Sequence, residues 1–121
     1  MLNQFSRTQL LFGKEAMERL YNARVAVFGV GGVGGYTVEA LARSGIGTLD
    51  LIDDDKVCLT NLNRQVEATR STLGQPKAQA MADRIADINP QCHTTVRVEK
   101  YEAGNRKSFF STKYDYIVDC I

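Results

Sequence analysis

The sequence lacks long apolar runs, has almost no excess charge and contains few cysteines. Its 121 residues include 15 Lys and Arg against 14 Asp and Glu, so the net charge at pH 7 is +1. This balance gives no reason to expect binding to nucleic acid, DNA included, or to a membrane surface. No apolar stretch approaches the roughly 20 residues of a transmembrane helix, and the first residues do not form a signal-peptide pattern. We therefore expect a globular, cytoplasmic protein without a transmembrane segment.

The three cysteines, Cys58, Cys92 and Cys120, are odd in number, and none belongs to a CxxC pair. Their spacing indicates neither a disulfide framework nor a zinc site, so we expect reduced thiols. A length of 121 residues is typical of one domain. The sequence therefore predicts a single domain, residues 1–121, with no metal ligands recognisable from the cysteine pattern.

Strand-like and helix-like segments alternate along the chain. Strands are predicted at residues 24–29, 48–53, 93–99 and 114–121. Helices are predicted at residues 7–22 with a break at Gly13, at 33–44, at 76–88 with Pro76 in the first position, and at 105–111. This alternation predicts βαβ units and thus an α/β fold: a Rossmann-like, doubly wound, mostly parallel sheet with helices on both faces.

Two of these segments carry further expectations. The third helix repeats apolar residues at i, i+3, i+4 and i+7, namely Ala78, Met81, Ala82 and Ile85, which predicts a face packed in the core. The last segment, 114–121, has the pattern of a buried strand and ends without a turn or polar tail. Such an end is unusual for a natural chain, so we expect this sequence to be the N-terminal part of a longer protein.

A glycine-rich loop follows the first strand and opens the second helix. Residues 29–34 fit G-x-G-x-x-G, with Gly29 for the tight turn, Gly31 for close approach of a phosphate and Gly34 for helix–strand packing. The helix N-terminus adds partial positive charge. Asp53 ends the second strand about 20 residues after this loop, where a ribose-binding carboxylate belongs. These features predict a nucleotide site.

The residues after the second strand indicate which nucleotide binds. Asn61, Asn63, Arg64 and Gln65 follow that strand, and Lys77 falls in the first turn of the next helix. A cation there opposes the helix dipole unless a bound anion reverses the cost. Two cations, amides and a ribose carboxylate favour ATP whose phosphates react over a dinucleotide held for hydride transfer. The alternative of a nicotinamide-dependent dehydrogenase domain accounts for the glycine loop but not for this cluster.

The chain resembles the ThiF/MoeB/HesA superfamily, which is related to the ubiquitin-activating enzymes. The matching motifs run along nearly the whole sequence: 7–9 (RTQ), 29–34 (GVGGVG), 45–47 (GIG), 53–55 (DDD), 61–65 (NLNRQ), 74–77 (GQPK), 88–90 (INP) and 114–120 (YDYIVDC). The resemblance implies adenylation of a carboxylate by ATP with magnesium, in which the substrate oxygen attacks the α-phosphate and pyrophosphate leaves.

The resemblance also implies roles for individual residues. Asp53 would hold the ribose, Asn61, Arg64 and Lys77 the phosphates, and Arg7 would reach the ATP site of the partner subunit in a homodimer. The expected catalytic residues are Arg7, Arg64 and Lys77, and the expected nucleotide-binding residues are Gly29, Gly31, Gly32, Gly34, Asp53, Asp55, Asn61, Arg64, Gln65 and Lys77. The family's magnesium-binding aspartate would be residue 122, so no metal ligand is predicted within this chain and adenylation by it alone is doubtful.

Within the superfamily, segments 39–45 and 57–65 look most like the tRNA threonylcarbamoyladenosine dehydratases. These adenylate the threonyl carboxylate of a modified adenosine in tRNA, which then closes into a ring. The alternative is adenylation of the C-terminus of a ubiquitin-like sulfur-carrier protein, as in thiamine or molybdopterin synthesis. Basic residues near the end, such as Arg97 and Lys107, are interleaved with acidic ones, so a tRNA surface is not indicated within this chain.

Overall fold

The computed structural model describes residues 2–121 and contains a four-stranded sheet flanked by five α-helices. In chain order the elements are α1 (Ser6–Phe12), α2 (Lys14–Asn22), β1 (Arg24–Phe28), α3 (Gly32–Ser44), β2 (Thr48–Ile52), α4 (Lys77–Ile88), β3 (His93–Arg97), α5 (Arg106–Phe109) and β4 (Tyr116–Asp119). Two short 3₁₀ turns, Leu59–Asn61 and Arg70–Thr72, lie in the long connection between β2 and α4.

The sheet has the order β3-β2-β1-β4, and each pair of neighbouring strands is parallel. From β1 the chain moves outward on one side to β2 and β3, then returns to the other side of β1 as β4. The carboxyl ends of β1 and β4 therefore flank a topological switch point, where ligands of open α/β sheets bind. The predicted doubly wound parallel fold is confirmed.

One face of the sheet forms the larger core with α3 and α4. Leu49 and Leu51 of β2 alternate toward this face and are completely buried, together with Val38 of α3. The apolar stripe of α4 packs against them, with Met81 and Ile85 also fully buried. Burial of one such side chain stabilises the fold by about 1.5–3 kcal/mol. The prediction that this stripe belongs to the core is confirmed.

The opposite face is covered by α5 and its flanking residues. Phe28 of β1 packs against Phe109 and Tyr101, whose ring centroids lie 5.5 and 5.2 Å from its own. On the same face the carboxylate of Asp50, 2% exposed, accepts two hydrogen bonds from the Arg24 guanidinium, at 2.9 and 2.8 Å. This bidentate pair compensates the burial of the Asp50 charge.

Two details differ from the sequence predictions. Pro76 is not the first residue of α4: it is extended, with ψ of 133°, and precedes the helix. An antiparallel bridge between Lys56 and Pro76 holds this residue in the extended form. The last segment was expected to be a buried strand, but β4 is shorter and mostly exposed, with Tyr116 68% and Ile117 44% accessible. It lies at the edge of the sheet, so among the described residues it pairs with β1 alone.

In residues 2–121 no helix combines the length and the apolar character that crossing a membrane requires.

Candidate functional site

A cleft lies at the carboxyl edge of the sheet, where the strand order reverses. Its volume is about 290 Å³. The lining comes from the glycine loop, the end of β2, the start of α4 and the segments after β3 and β4: Gly29, Gly31, Ile52, Asp53, Asp54, Asp55, Lys77, Glu99, Lys100, Tyr101, Cys120 and Ile121. The topology thus brings together two parts that the sequence separates widely, the glycine loop and Lys77.

Close backbone contacts explain two glycines of the loop. A Cβ built at Gly29 would lie 2.6 Å from the carbonyl oxygen of Cys120, just after β4, and Gly29 has a φ of +93°. A Cβ at Gly34 would overlap the carbonyl oxygen of Gly29. Gly31 is different, because a Cβ there would meet only the Gln65 Nε2 at 3.7 Å, an ordinary contact. Internal packing therefore requires Gly29 and Gly34, while Gly31 leaves open space beside the cleft.

Asp53 holds the glycine loop through its side chain. Its Oδ2 accepts a hydrogen bond from the Val30 backbone N–H at 2.8 Å, and its Oδ1 accepts one from the Asp55 N–H at 2.7 Å. Hydrogen bonds that involve a charged group contribute about 1.5–3 kcal/mol each. Asp53 therefore fixes the position of the loop after β1 relative to the end of β2, in addition to facing the cleft.

Lys77 occupies the start of α4 and faces the cleft, as the sequence predicted. Its backbone N–H donates to the Asp55 carbonyl oxygen at 3.0 Å. Its side chain is only 9% exposed, and its Nζ lies 3.7 Å from the Asp55 Oδ2. The ammonium is thus nearly buried and too far from this carboxylate for a hydrogen bond. It can turn toward an anion in the cleft.

The loop of residues 58–65 contributes less to the cleft than the sequence suggested. Arg64 is exposed, and its Nη1 donates to the Thr60 carbonyl oxygen at 3.2 Å and to the Asn63 Oδ1 at 3.0 Å. Asn61 is buried, and its Oδ1 accepts a hydrogen bond from the Cys58 N–H at 2.9 Å. Neither lines the cleft.

Gln65 and Gly32 lie close to Gly31 of the glycine loop, but neither lines the cleft. Gln65 is buried beside Gly31, and its Oε1 has no hydrogen-bond partner in residues 2–121. Gly32, at the start of α3, has no heavy atom within 4 Å of a Cβ built on it.

Arg7 lies far from this edge of the sheet. It is exposed on α1, which packs near the opposite ends of the strands: Gln4 Nε2 donates to the Ile88 carbonyl oxygen at 3.0 Å, and Phe5 lies beside Gly45. Ile88 and Gly45 precede β3 and β2, so this contact marks the amino-terminal edge. Arg7 therefore does not join the cleft of its own chain.

Sequence reasoning missed several residues of the cleft and its surroundings. Glu99, Lys100 and Tyr101 follow β3 and line the cleft, a placement that the rule of carboxyl strand ends predicts. Glu67 was also missed. It is 2% exposed and lies beside Gly35 of α3, and burial raises the pKa of its carboxyl above the ordinary value of 4.5. No local motif marks it, since its burial arises from the folding of the loop onto α3.

The three aspartates after β2 could also bind a cation. One carboxylate oxygen from each of Asp53, Asp54 and Asp55 lies within 4.8 Å of the others. Carboxylate oxygens are suitable ligands for magnesium, which is held in nucleotide sites by one or two carboxylates together with phosphates. From the sequence we predicted no metal ligand within the chain, although these three aspartates are consecutive in the sequence.

Comparison with known proteins identifies relatives that match almost the whole chain. The ThiF family profile matches residues 5–121. The tRNA threonylcarbamoyladenosine dehydratase of Bacillus subtilis is 51% identical over 119 residues, which are 98% of this chain and 47% of the relative. The crystal structure of the E. coli tRNA N6-threonylcarbamoyladenosine dehydratase TcdA in complex with ATP superposes with a TM-score of 0.95 at 44% identity, covering 98% of this chain and 49% of that chain.

A relative that is not named as a dehydratase has lower sequence identity to this chain. The adenylyltransferase and sulfurtransferase MOCS3 of Caenorhabditis briggsae is 34% identical over 97% of this chain and 29% of its own length. This chain spans about half the length of the Bacillus subtilis and E. coli dehydratases.

Proposed function

Because this chain belongs to the ThiF family, we propose that residues 1–121 are the ATP-binding adenylation domain of a tRNA threonylcarbamoyladenosine dehydratase. The observation that carries the proposal is the meeting of the glycine loop, Asp53 and Lys77 in one cleft at the switch point of the sheet. The 51% identity to the Bacillus subtilis dehydratase and the likeness to TcdA with bound ATP support it.

In this proposal ATP lies along the carboxyl edge with its ribose at Asp53. Both Asp53 oxygens already accept a backbone N–H, but a carboxylate offers about four lone-pair sites, so it can accept ribose hydroxyls as well. Gly31 and Gly32 let the nucleotide approach the backbone, and the α3 N-terminus adds partial positive charge. These features support binding of the nucleoside at this end of the cleft.

The phosphates lie toward Lys77 and the loop of residues 58–65. A substrate carboxylate attacks the α-phosphorus, an acyl-adenylate forms, and pyrophosphate leaves. Lys77 neutralises charge that develops on the phosphates, and Arg64 does so after turning from its contacts with Thr60 and Asn63. Asn61 and Gln65 support this loop from its buried side. The cyclisation then releases AMP, because the carbamoyl group attacks the activated carbonyl.

Magnesium would be held on the same side. The carboxylates of Asp54 and Asp55 reach the cleft and suit this ion. When bound, magnesium supplies charge neutralisation at the phosphates.

The proposed assembly is a homodimer in the cytoplasm. Arg7 is exposed at the amino-terminal edge of the sheet, remote from the cleft of its own chain, so a role in catalysis requires the site of a second subunit. The helix that carries it, α1, has no buried residue and exposes Leu10, Leu11 and Phe12 at 86%, 82% and 59%. A second subunit would cover this apolar surface.

The experiment uses the protein at its full natural length with ATP and magnesium. Release of AMP is followed with tRNA that carries threonylcarbamoyladenosine, with the same tRNA lacking the modification, and with a ubiquitin-like sulfur-carrier protein. We expect AMP only with the modified tRNA. If none of these three substrates led to AMP release, the proposal would be contradicted.

A second candidate is adenylation of a sulfur-carrier C-terminus, which the similarity to MOCS3 favours. The cleft residues proposed for ATP would be the same, so only the carboxylate substrate differs. AMP release with the carrier protein and not with tRNA would establish this alternative.

A further inference from the structure

A carboxylate buried beside the glycine loop lacks a hydrogen-bond partner. Glu67 is 2% exposed, and within residues 2–121 neither of its oxygens accepts a hydrogen bond. Its Oε2 lies 2.7 Å from where a Cβ on Gly35 would stand, so the carboxylate fills the space beside the first turn of α3. A buried carboxylate without donors costs several kcal/mol unless a nearby positive charge compensates it.

The positive charge that acts on this carboxyl is that of Lys77. Burial is the main influence on the Glu67 carboxyl and raises its pKa; the nearby backbone N–H of Glu67 itself lowers that pKa, the Lys77 charge lowers it further, and the Asp53 charge raises it. Lys77 is itself 9% exposed, and its closest ion-pair partner, Asp55, is 3.7 Å away and 68% exposed. Two buried groups of opposite charge thus act on each other without forming an ion pair, and neither side chain has a hydrogen-bonded partner within residues 2–121.

We propose that Glu67 is a positioning residue that competes with the phosphates of a bound nucleotide for the Lys77 ammonium. The inference rests on the proposed ATP site. The Lys77 backbone is fixed by its hydrogen bond to Asp55, but its four-carbon stem is flexible. The ammonium can therefore turn toward Glu67 or toward the cleft, whereas the carboxylate is buried against Gly35. A competitor of this kind weakens phosphate binding and favours release of pyrophosphate.

The test removes the Glu67 charge at nearly constant shape. For wild type, Glu67→Gln, Lys77→Ala and the double variant, calorimetry measures the Kd of ATP, pyrophosphate and adenosine. We expect Glu67→Gln to tighten ATP and pyrophosphate by at least about threefold and to leave adenosine unchanged, because adenosine has no phosphate. In the Lys77→Ala background the same substitution should change neither Kd. Glu67→Met, which also removes the charge, should reproduce the result if Glu67→Gln does not fold.

Two results would overturn the inference while leaving the ATP site intact. One is unchanged or weaker ATP binding by a folded Glu67→Gln protein. The other is tightening that persists without Lys77, since Glu67 would then act on the phosphates directly or on the packing of the loop.

Thermal unfolding without nucleotide provides a second test of whether Glu67 and Lys77 interact. If Glu67 and Lys77 interact, Lys77→Met should lower the Tm less in the Glu67→Gln background than in wild type, by at least about 3 °C. Equal losses would show that the two charges do not interact and would overturn the inference. Absence of ATP binding by wild type would instead contradict the proposed function, so the two failures are distinguishable.

Discussion

The glycine loop and the loop of residues 58–65 both follow carboxyl ends of strands, but they are held differently. The glycine loop is tied to β2 by the Asp53 side chain and by a hydrogen bond from Gly29 N–H to the Ile52 carbonyl oxygen at 2.8 Å. Within residues 2–121 the Arg64 side chain, in contrast, donates hydrogen bonds only to Thr60 and Asn63 of its own loop, and it is exposed. In the proposed site the nucleoside side is therefore held by the fold, while the phosphate side requires side chains such as Arg64 to move. Substitutions should affect stability on the first side and activity on the second.

The largest effect is expected for Gly34→Ala on the nucleoside side. The added methyl group would overlap the Gly29 carbonyl oxygen, so loop and helix must separate. We expect a loss of about 3 kcal/mol in the free energy of unfolding, measured by urea denaturation. Gly32→Ala is the matched control. Gly32 lies in the same helix, and a Cβ built on it has no heavy atom within 4 Å. Equal losses in the two variants would contradict the account of a tightly packed loop.

Lys77→Ala tests the buried cation of the phosphate side. We expect ATP–pyrophosphate exchange by the protein at full natural length to fall at least about tenfold, which corresponds to roughly 1.4 kcal/mol in the barrier. Lys107 is exposed on α5 and lies outside the cleft. The variant Lys107→Ala should therefore catalyse ATP–pyrophosphate exchange at the wild-type rate. ATP–pyrophosphate exchange at the wild-type rate by Lys77→Ala would contradict the proposed role of Lys77.

Arg64→Ala separates activity from stability most clearly. We expect exchange to fall about tenfold, with the free energy of unfolding unchanged within about 0.5 kcal/mol because the side chain is exposed. The control is Arg70→Ala, another exposed arginine of the same connection. If Arg64→Ala lowered stability and left exchange unchanged, the loop would be structural and the proposed movement of Arg64 would be wrong.

The smallest effect concerns the pH dependence of stability. Burial raises the pKa of Glu67, its own backbone N–H and the Lys77 charge lower it less, and the Asp53 charge raises it. The folded chain therefore holds this proton more strongly than the unfolded chain, so stability falls as the pH rises from about 4.5 through the raised pKa. Glu67→Gln should have a higher Tm than wild type at pH 7.5 and a similar Tm at pH 4. A gain of the same size at both pH values would exclude titration of Glu67 as its cause.

The sequence predicted the parts of this molecule that local chemistry determines. Alternating strands and helices gave the parallel sheet, and the glycine spacing with Asp53 located the switch point. It could not give contacts between distant segments, such as the carbonyl oxygen of Cys120 against Gly29 or the carboxylate of Glu67 against Gly35. The sequence also could not predict the position of the Arg64 side chain, because packing does not fix an exposed side chain.

Calorimetric titration of the 121-residue chain with ATP–magnesium, and separately with NAD, tests most directly whether this cleft is an ATP site. We expect ATP–magnesium to bind with submillimolar affinity and NAD to show no binding in that range. Submillimolar binding of NAD with no binding of ATP–magnesium would contradict the account and return the cleft to the class of dinucleotide sites.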